Sequence, residues 1–366
     1  MTDSRPSNPA GEAVVDHIVA VLPPLLQSLE ALEFIARHFH PPAFDAIMAQ
    51  VEAPDQALQD VRVRLDDWAD GFADVSAPLQ IASDAALAGF AKLRAVQNEG
   101  GDIRDVFRAM RYLPRAQEAL YPLAARLPPV SQFFLAPDMR NDAAALARFA
   151  KPPAPGSGVH HFDNEPGSRG GYSLYVPEDY TGERTWPLVV ALHGGSGNGR
   201  AFLWSWLRAA RSHGAIVISP TATGPTWALM GDDADTPNLM RILEAVRSEW
   251  SIDPARMLLT GMSDGGTFCY VSGLEAASPF THLAPVAATF HPLMAQMADA
   301  ERLRGLPVFQ VHGRLDWMFP IEVARQAREA LAAAGADVSL HEIADLSHAY
   351  PREINAEILA WLRGER

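Results

Sequence analysis

The chain has 366 residues, just under half of them apolar, with a formal net charge of −14 and a single cysteine, Cys269. That length allows two domains with sizeable cores; the acidic balance argues against a nucleic-acid surface, which needs clustered Lys and Arg, and one cysteine excludes an internal disulfide. The amino-terminal MTDSRPSNPAGEAVV lacks a basic start, an apolar stretch and a cleavage site, no apolar run approaches the ~18 residues that span a bilayer, and a cytoplasmic chain with no transmembrane segment is the expectation.

Residues 1–150 read as an all-helical domain. In LLQSLEALEFIARHF the apolar positions Leu22, Leu25, Leu29, Leu32, Ala36 and Phe39 keep the spacing of one helix face. Pro23 and Pro24 are expected to break or kink this helix. Further helices are expected near 42–52, 55–73, 79–97, 102–127 and 141–150, each bounded by Pro, Gly or Asn signals. KPPAPGSG, residues 151–158, reads as an extended linker.

From 159 to 366 strand and helix signals alternate. Tyr172, Leu174 and Val176 alternate with polar residues, and PLVVALHGG, AIVISP, RMLLTG, APVAAT, PVFQVHG and VSLHEI read as strands. Between them lie helical stretches such as FLWSWLRAARSHG, TPNLMRILEAVRSEW, GGTFCYVSGLEA and EVARQAREALAAAG. This order predicts the α/β class, a doubly wound and mostly parallel sheet preceded by the helical domain. Such sheets carry their sites at the carboxyl ends of the strands.

The strand RMLLTG runs into Gly261-Met262-Ser263-Asp264-Gly265-Gly266 and then into a helix. Strand, G-x-S-x-G and helix in succession is the pattern of a nucleophile elbow, a sharp turn that exposes the serine oxygen. A serine hydroxyl needs a base to take its proton and an acid to orient that base, here in the chain order serine, acid, histidine. Five histidines follow Ser263. His282 and His291 precede any good acid, His312 ends a strand four residues before Asp316, and His341 lies inside the last strand. His348, just past that strand, is the best-placed base. Asp316, in the loop after PVFQVHG, is the candidate acid; Asp345, three residues before His348, is its rival. The glycine-rich LHGGSGNG, residues 192–199, can aim backbone N–H groups at an oxyanion. Gly195 is the first candidate donor, with Gly194 and Ser196 beside it and the N–H of Asp264 completing the hole. The loop lacks the Gly-Lys-Ser/Thr ending of a phosphate-binding loop.

LHGGSGNG, SIDPARMLLTGMSDGG, VHGRLDWMFP and LSHAYP, in that order, resemble the α/β-hydrolase superfamily, and within it the esterase, phospholipase/carboxylesterase and polyhydroxybutyrate-depolymerase-like branch. The resemblance covers about residues 158–366. It implies hydrolysis of a small-molecule carboxylic ester through an acyl-serine, with Ser263 as nucleophile, Asp316 as acid, His348 as base, and neither cofactor nor metal. Lysophospholipids, polyester oligomers and thioesters stay open as substrates. A catalytically silent binding module on the same fold is the alternative. Many members of the superfamily insert a cap between the sixth and seventh strands, where this chain has only about 20 residues. The helical domain is therefore either a lid over Ser263 or a bundle elsewhere, including one that joins copies of the chain into a homo-oligomer.

Other features have plainer readings. Asp232, Asp233 and Asp235 stand before a helix, where acids favour the dipole and cap the first turn. His160 and His161 would point to opposite faces of a strand, so a metal pair is disfavoured. Trp204, Trp206, Trp227 and Trp317 lie near motif loops, as pocket or as core, with Trp317 the foremost pocket candidate beside Trp227 and Trp204. Cys269 reads as a small buried hydrophobe.

Overall fold

The computed structural model describes residues 9–66, 68 and 70–365; residues 1–8 of the amino-terminal stretch and of the expected helical domain lie outside the described residues. Two compact units emerge. One contains the chain up to Ala36 together with Pro41–Phe134; the other contains Arg37–His40 and the chain from Leu135 onward.

The first unit is helical. Its leading helix, Pro9–His38, runs without a break through Pro23 and Pro24. The expected break does not occur. Proline there removes the N–H partners of the carbonyls at Val19 and Ala20, and Val19 is exposed, so water can serve on that side. The opposite side holds the helix in place, with Val21, Leu25, Leu29, Leu32 and Ile35 fully buried. By length and composition its stretch Ala13–His38, 26 residues whose most apolar 18 have a mean hydropathy of 1.6, is long and apolar enough to cross a membrane. This corrects the expectation that no such stretch exists: Glu30 and Glu33 interrupt the apolar run without lowering its mean enough. The buried face accounts for the same composition, since a core helix must be apolar on the side it packs.

Helices Phe44–Ala49, Pro54–Arg62, Ala73–Glu99 and Ala143–Phe149 fall near the expected positions, the last of them in the second unit. The stretch expected as one helix over 102–127 is instead Ile103–Met110, Tyr112–Leu120 and a tight turn, Tyr121–Ala125. Pro114 and Pro122 each sit near the start of a new segment, where a missing N–H costs nothing.

The second unit is built on eight strands: β1 Gly158–Phe162, β2 Tyr172–Val176, β3 Trp186–Leu192, β4 Ile216–Pro220, β5 Ile252–Met262, β6 His282–Val286, β7 Pro307–Gly313 and β8 Asp337–Ile343. They form one sheet in the order β1-β2-β4-β3-β5-β6-β7-β8. β1 and β2 pair antiparallel, as do β2 and β4; all other neighbours are parallel. β3 and β4 are buried along their whole length, which is why PLVVAL and AIVIS read as unbroken apolar runs. Helix Gly199–His213 packs on β2, β3 and β4, helix Asp264–Gly273 on β5 and β6, and helix Ile321–Ala333 on β7 and β8. From β3 the chain steps outward to β4, then returns across β3 to β5. At such a reversal the loops leaving β3 and β5 diverge and frame a crevice at the carboxyl edge.

Candidate active site

The turn between β5 and helix Asp264–Gly273 holds Ser263 at φ 56°, ψ −119°. A non-glycine residue in that region costs on the order of 1–3 kcal/mol and persists only when its surroundings enforce it. Here the Ser263 N–H donates to the Val286 carbonyl at 2.9 Å, and the Ser263 carbonyl accepts from Thr267 N–H at 2.8 Å. The turn is also wedged against β3. A methyl at Gly265 would lie 2.4 Å from the His193 carbonyl oxygen and 2.5 Å from that of Leu192. Only glycine admits this approach, and it brings the loop after β3 against the serine.

His348 arrives on the loop after β8. Its Nε2 is 3.1 Å from Ser263 Oγ, and its Nδ1 is 2.9 Å from Asp316 Oδ2. Both side chains are nearly closed to solvent, 4% and 0% exposed respectively, so water does not compete for these bonds. Asp316 Oδ1 accepts from the N–H groups of Met318 and Phe319 at 2.9 and 2.8 Å. Burial works to raise the Asp316 pKa, but the hydrogen bond and charge of His348, with the Phe319 N–H and His312, outweigh it and hold the carboxyl below its ordinary value. His312 Nε2 lies 2.8 Å from the Phe319 carbonyl and 3.6 Å from Asp316 Oδ2. The three residues predicted as nucleophile, acid and base therefore form one hydrogen-bonded line. The other histidines stand apart from it: His282 contacts Thr281 and Trp361, His291 accepts from the Leu293 N–H, and His341 stacks on Phe309.

Gly194 and Gly195 lie at the carboxyl end of β3 against the elbow. A methyl on Gly194 would stand 3.6 Å from Ser263 Cβ, and one on Gly195 only 2.7 Å from Asp264 Oδ2. The Asp264 carboxylate thus packs on the loop after β3, and its Oδ2 also accepts from Thr226 Oγ1 at 2.5 Å. The sequence reading gave Asp264 a backbone role alone.

Residues 231–363 match the phospholipase/carboxylesterase family profile, a span that includes the elbow, Asp316 and His348. The match lies within the second unit, whose mostly parallel sheet and strand–turn–helix elbow are the α/β architecture expected from the sequence. The chain is 29% identical over 162 residues to a bifunctional acetylxylan esterase/xylanase of Neocallimastix patriciarum, covering 43% of this chain and 23% of that one. It is 27% identical over 137 residues to a probable feruloyl esterase C of Aspergillus niger, covering 36% and 48%. The chain thus spans less than half the length of either relative. A solved thermostable esterase overlaps 56% of this chain and 62% of its own at 24% identity and a TM-score of 0.45.

The second unit also shows what steadies its β3 loop, which the sequence reading missed. His193 is buried; its Nδ1 lies 2.7 Å from the Gly194 carbonyl, and its Nε2 accepts from the Ala222 N–H at 3.1 Å. The His193 carbonyl accepts from the indole of Trp227 at 2.7 Å. Trp227 is itself buried and stacked on Phe268, so it braces the loop from behind; Trp204 and Trp206 are likewise buried. Trp317 alone of the tryptophans flagged in the sequence is exposed, and its ring stands edge-on to His348 with centroids 6.2 Å apart. Asp235 is buried and accepts from the N–H groups of Thr223 and Ala228, closing the loop that carries Thr226 and Trp227. Asp233 accepts from the Asp235 and Thr236 N–H groups at the start of helix Asp235–Glu249. The motif letters H-G-G were the available signal for His193; Asp235 was legible only as an acid at a helix start, and nothing local marks Thr226. His160 Nε2 donates to the Gly156 carbonyl and His161 Nδ1 lies 2.7 Å from Ser173 Oγ, and Cys269 is fully buried with its thiol pKa raised by burial.

Burial pushes the His193 pKa down to about 4 from 6.5. The unfolded chain takes up a proton on this ring near pH 6.5 and the folded chain only near 4. The stability supplied by neutral His193 is therefore complete above pH 6.5 and declines as pH falls toward 4, by on the order of 3 kcal/mol. Urea midpoints measured from pH 7 to 4 are expected to show this decline, and His193→Gln to flatten it.

Proposed function

We propose that this chain is a serine hydrolase of carboxylic esters. Ser263 Oγ attacks the ester carbonyl carbon while its proton passes to His348 Nε2. The tetrahedral oxyanion is received by the N–H groups of Gly195 and Asp264, with Gly194 alongside. The intermediate collapses, the C–O bond to the alcohol breaks, and the leaving oxygen takes the proton from His348. Water then adds to the acyl-serine with His348 again as base, and the free acid departs. Asp316 keeps Nδ1 protonated, so that Nε2 is free to accept, and offsets the imidazolium charge that follows.

The observation that carries this reading is the line Asp316–His348–Ser263, with spacings of 2.9 and 3.1 Å, on an elbow that holds Ser263 at a strained positive φ. The esterase relatives support the same bond class. The names of those relatives suggest acetyl and feruloyl esters as the first acyl groups to try, and exposed Trp317 offers a flat apolar surface to an aryl or alkyl group beside the base. Residues 37–40 belong to the second unit, so the full chain is the form to assay.

The test is a fluorophosphonate probe followed by peptide mapping. A single phosphonyl adduct on Ser263, together with hydrolysis of acetyl, feruloyl or longer acyl esters, supports the reading. A natively folded chain that takes no adduct at Ser263 and cleaves no ester would be a silent binding module instead.

A further inference from the structure

His348 is delivered by a loop, residues 344–354, and a loop keeps its place only through what ties it down. One set of ties comes from the sheet and its neighbours. The Leu315 N–H donates to the Leu346 carbonyl at 3.0 Å, Tyr350 Oη donates to Asn355 Oδ1 at 2.9 Å, and Asn355 Nδ2 donates to the Ser205 carbonyl at 2.8 Å.

A second set comes from Arg37–His40, more than 300 residues earlier in the chain yet part of the same compact unit. The Arg37 guanidinium pairs with Asp345 at 3.2 Å and also with Glu353. These two carboxylates bracket His348, three residues before it and five after. His38 Nε2 lies 3.9 Å from Asp345 Oδ2. His40 Nδ1 lies 3.1 Å from Ser347 Oγ, and Ser347, the neighbour of His348, is fully buried. Four contacts from three residues thus converge on the one loop that presents the base. They also account for Asp345, the rival acid of the sequence reading, whose carboxylate faces Arg37.

We infer that Arg37 and His40 are positioning residues for His348. This rests on the reading of His348 as general base. As stability devices the ion pairs are weak: Asp345 and Glu353 are 64% and 54% exposed, and ion pairs in that setting add little to stability. As positioning devices they are strong. A base displaced by about 1 Å can lose about a hundredfold in rate, which a stability measurement would not register.

The experiment uses the full chain and the variants Arg37→Ala, Arg37→Lys, His40→Ala and Asp345→Asn. The readouts are fluorophosphonate labelling rate, kcat and KM on one soluble ester, thermal midpoint, and amide hydrogen exchange. Arg37→Ala and His40→Ala are expected to slow labelling and lower kcat about tenfold or more, with KM and midpoint nearly unchanged and faster exchange confined to peptides covering 344–354. Arg37→Lys should recover part of the rate, because one ammonium can hold one carboxylate but cannot fork between two. Asp345→Asn reads the same contact from the exposed side should Arg37→Ala fold poorly. Wild-type exchange in 344–354 in both alanine variants would overturn the inference, as would a rate loss that merely follows a fall in midpoint with exchange rising throughout. Failure of the ester-hydrolase reading looks different: the unmodified chain takes no probe, while exchange in 344–354 still reports on the clamp.

Discussion

Asp316→Asn is expected to lower ester turnover by about 10⁴ without unfolding the chain. The carboxylate has two jobs on two oxygens. Oδ1 accepts from the Met318 and Phe319 N–H groups, and Oδ2 accepts from His348 Nδ1. An asparagine can place only one oxygen. The two backbone donors hold that oxygen toward them, because the reverse orientation would set an amide NH₂ against two N–H groups in a buried site. The NH₂ then faces His348 Nδ1, which must become an acceptor. The ring proton moves to Nε2, where it points at Ser263 Oγ and the nitrogen can no longer take the serine proton. Ser263→Ala and His348→Ala are each expected to cost about 10⁶, and the double variant about the same, since the residues act as a unit. Steady-state kinetics on a soluble ester, with circular dichroism melts to confirm folding, would measure all four. An Asp316→Asn enzyme within about tenfold of wild type would break the proposed division of roles.

How much of this the sequence discloses depends on how local each cause is. The elbow is local: six residues between an apolar strand and a helix encode both the strain and the close approach. Asp316 and His348 are legible through strand ends and chain order, because a parallel sheet places successive carboxyl ends along one edge. Strand β1 is not legible. GVHHF has little apolar alternation, and it pairs only as a half-buried antiparallel edge. The continuity of Pro9–His38 through two prolines is not legible either, because it follows from tertiary burial of the face opposite Val19 and Ala20. The supports of the β3 loop are hidden for a third reason. Thr226 and Trp227 act through one hydrogen bond each and Asp235 through two, across loops, which leave no periodicity. Arg37 meets Asp345 at a separation of 308 residues, and a lone arginine at a helix end reads as ordinary dipole complementation.

A large structural penalty is expected at Gly265. Its φ is not positive, so the constraint is space alone. An added methyl meets the carbonyl oxygens of His193 and Leu192 at 2.4 and 2.5 Å, both main-chain atoms of β3 and the loop that follows it. Neither can step aside without parting β3 from the helix behind Ser263. Gly195→Ala meets Asp264 Oδ2 at 2.7 Å, the end of a side chain that can swing away at the expense of its bond to Thr226. Gly194→Ala meets its nearest atoms at 3.6 Å, an ordinary contact. The three alanine variants therefore form a graded series. Gly265→Ala should lose about 3 kcal/mol or more, a melting shift of about 6–12 °C for a domain of this size. Gly195→Ala should lose much less stability but slow acylation, because it disturbs the wall beside the oxyanion. Gly194→Ala should melt close to wild type. Equal midpoints across the series would mean that the β3 loop is not wedged against the elbow, and the geometry proposed for the oxyanion site would fall with it.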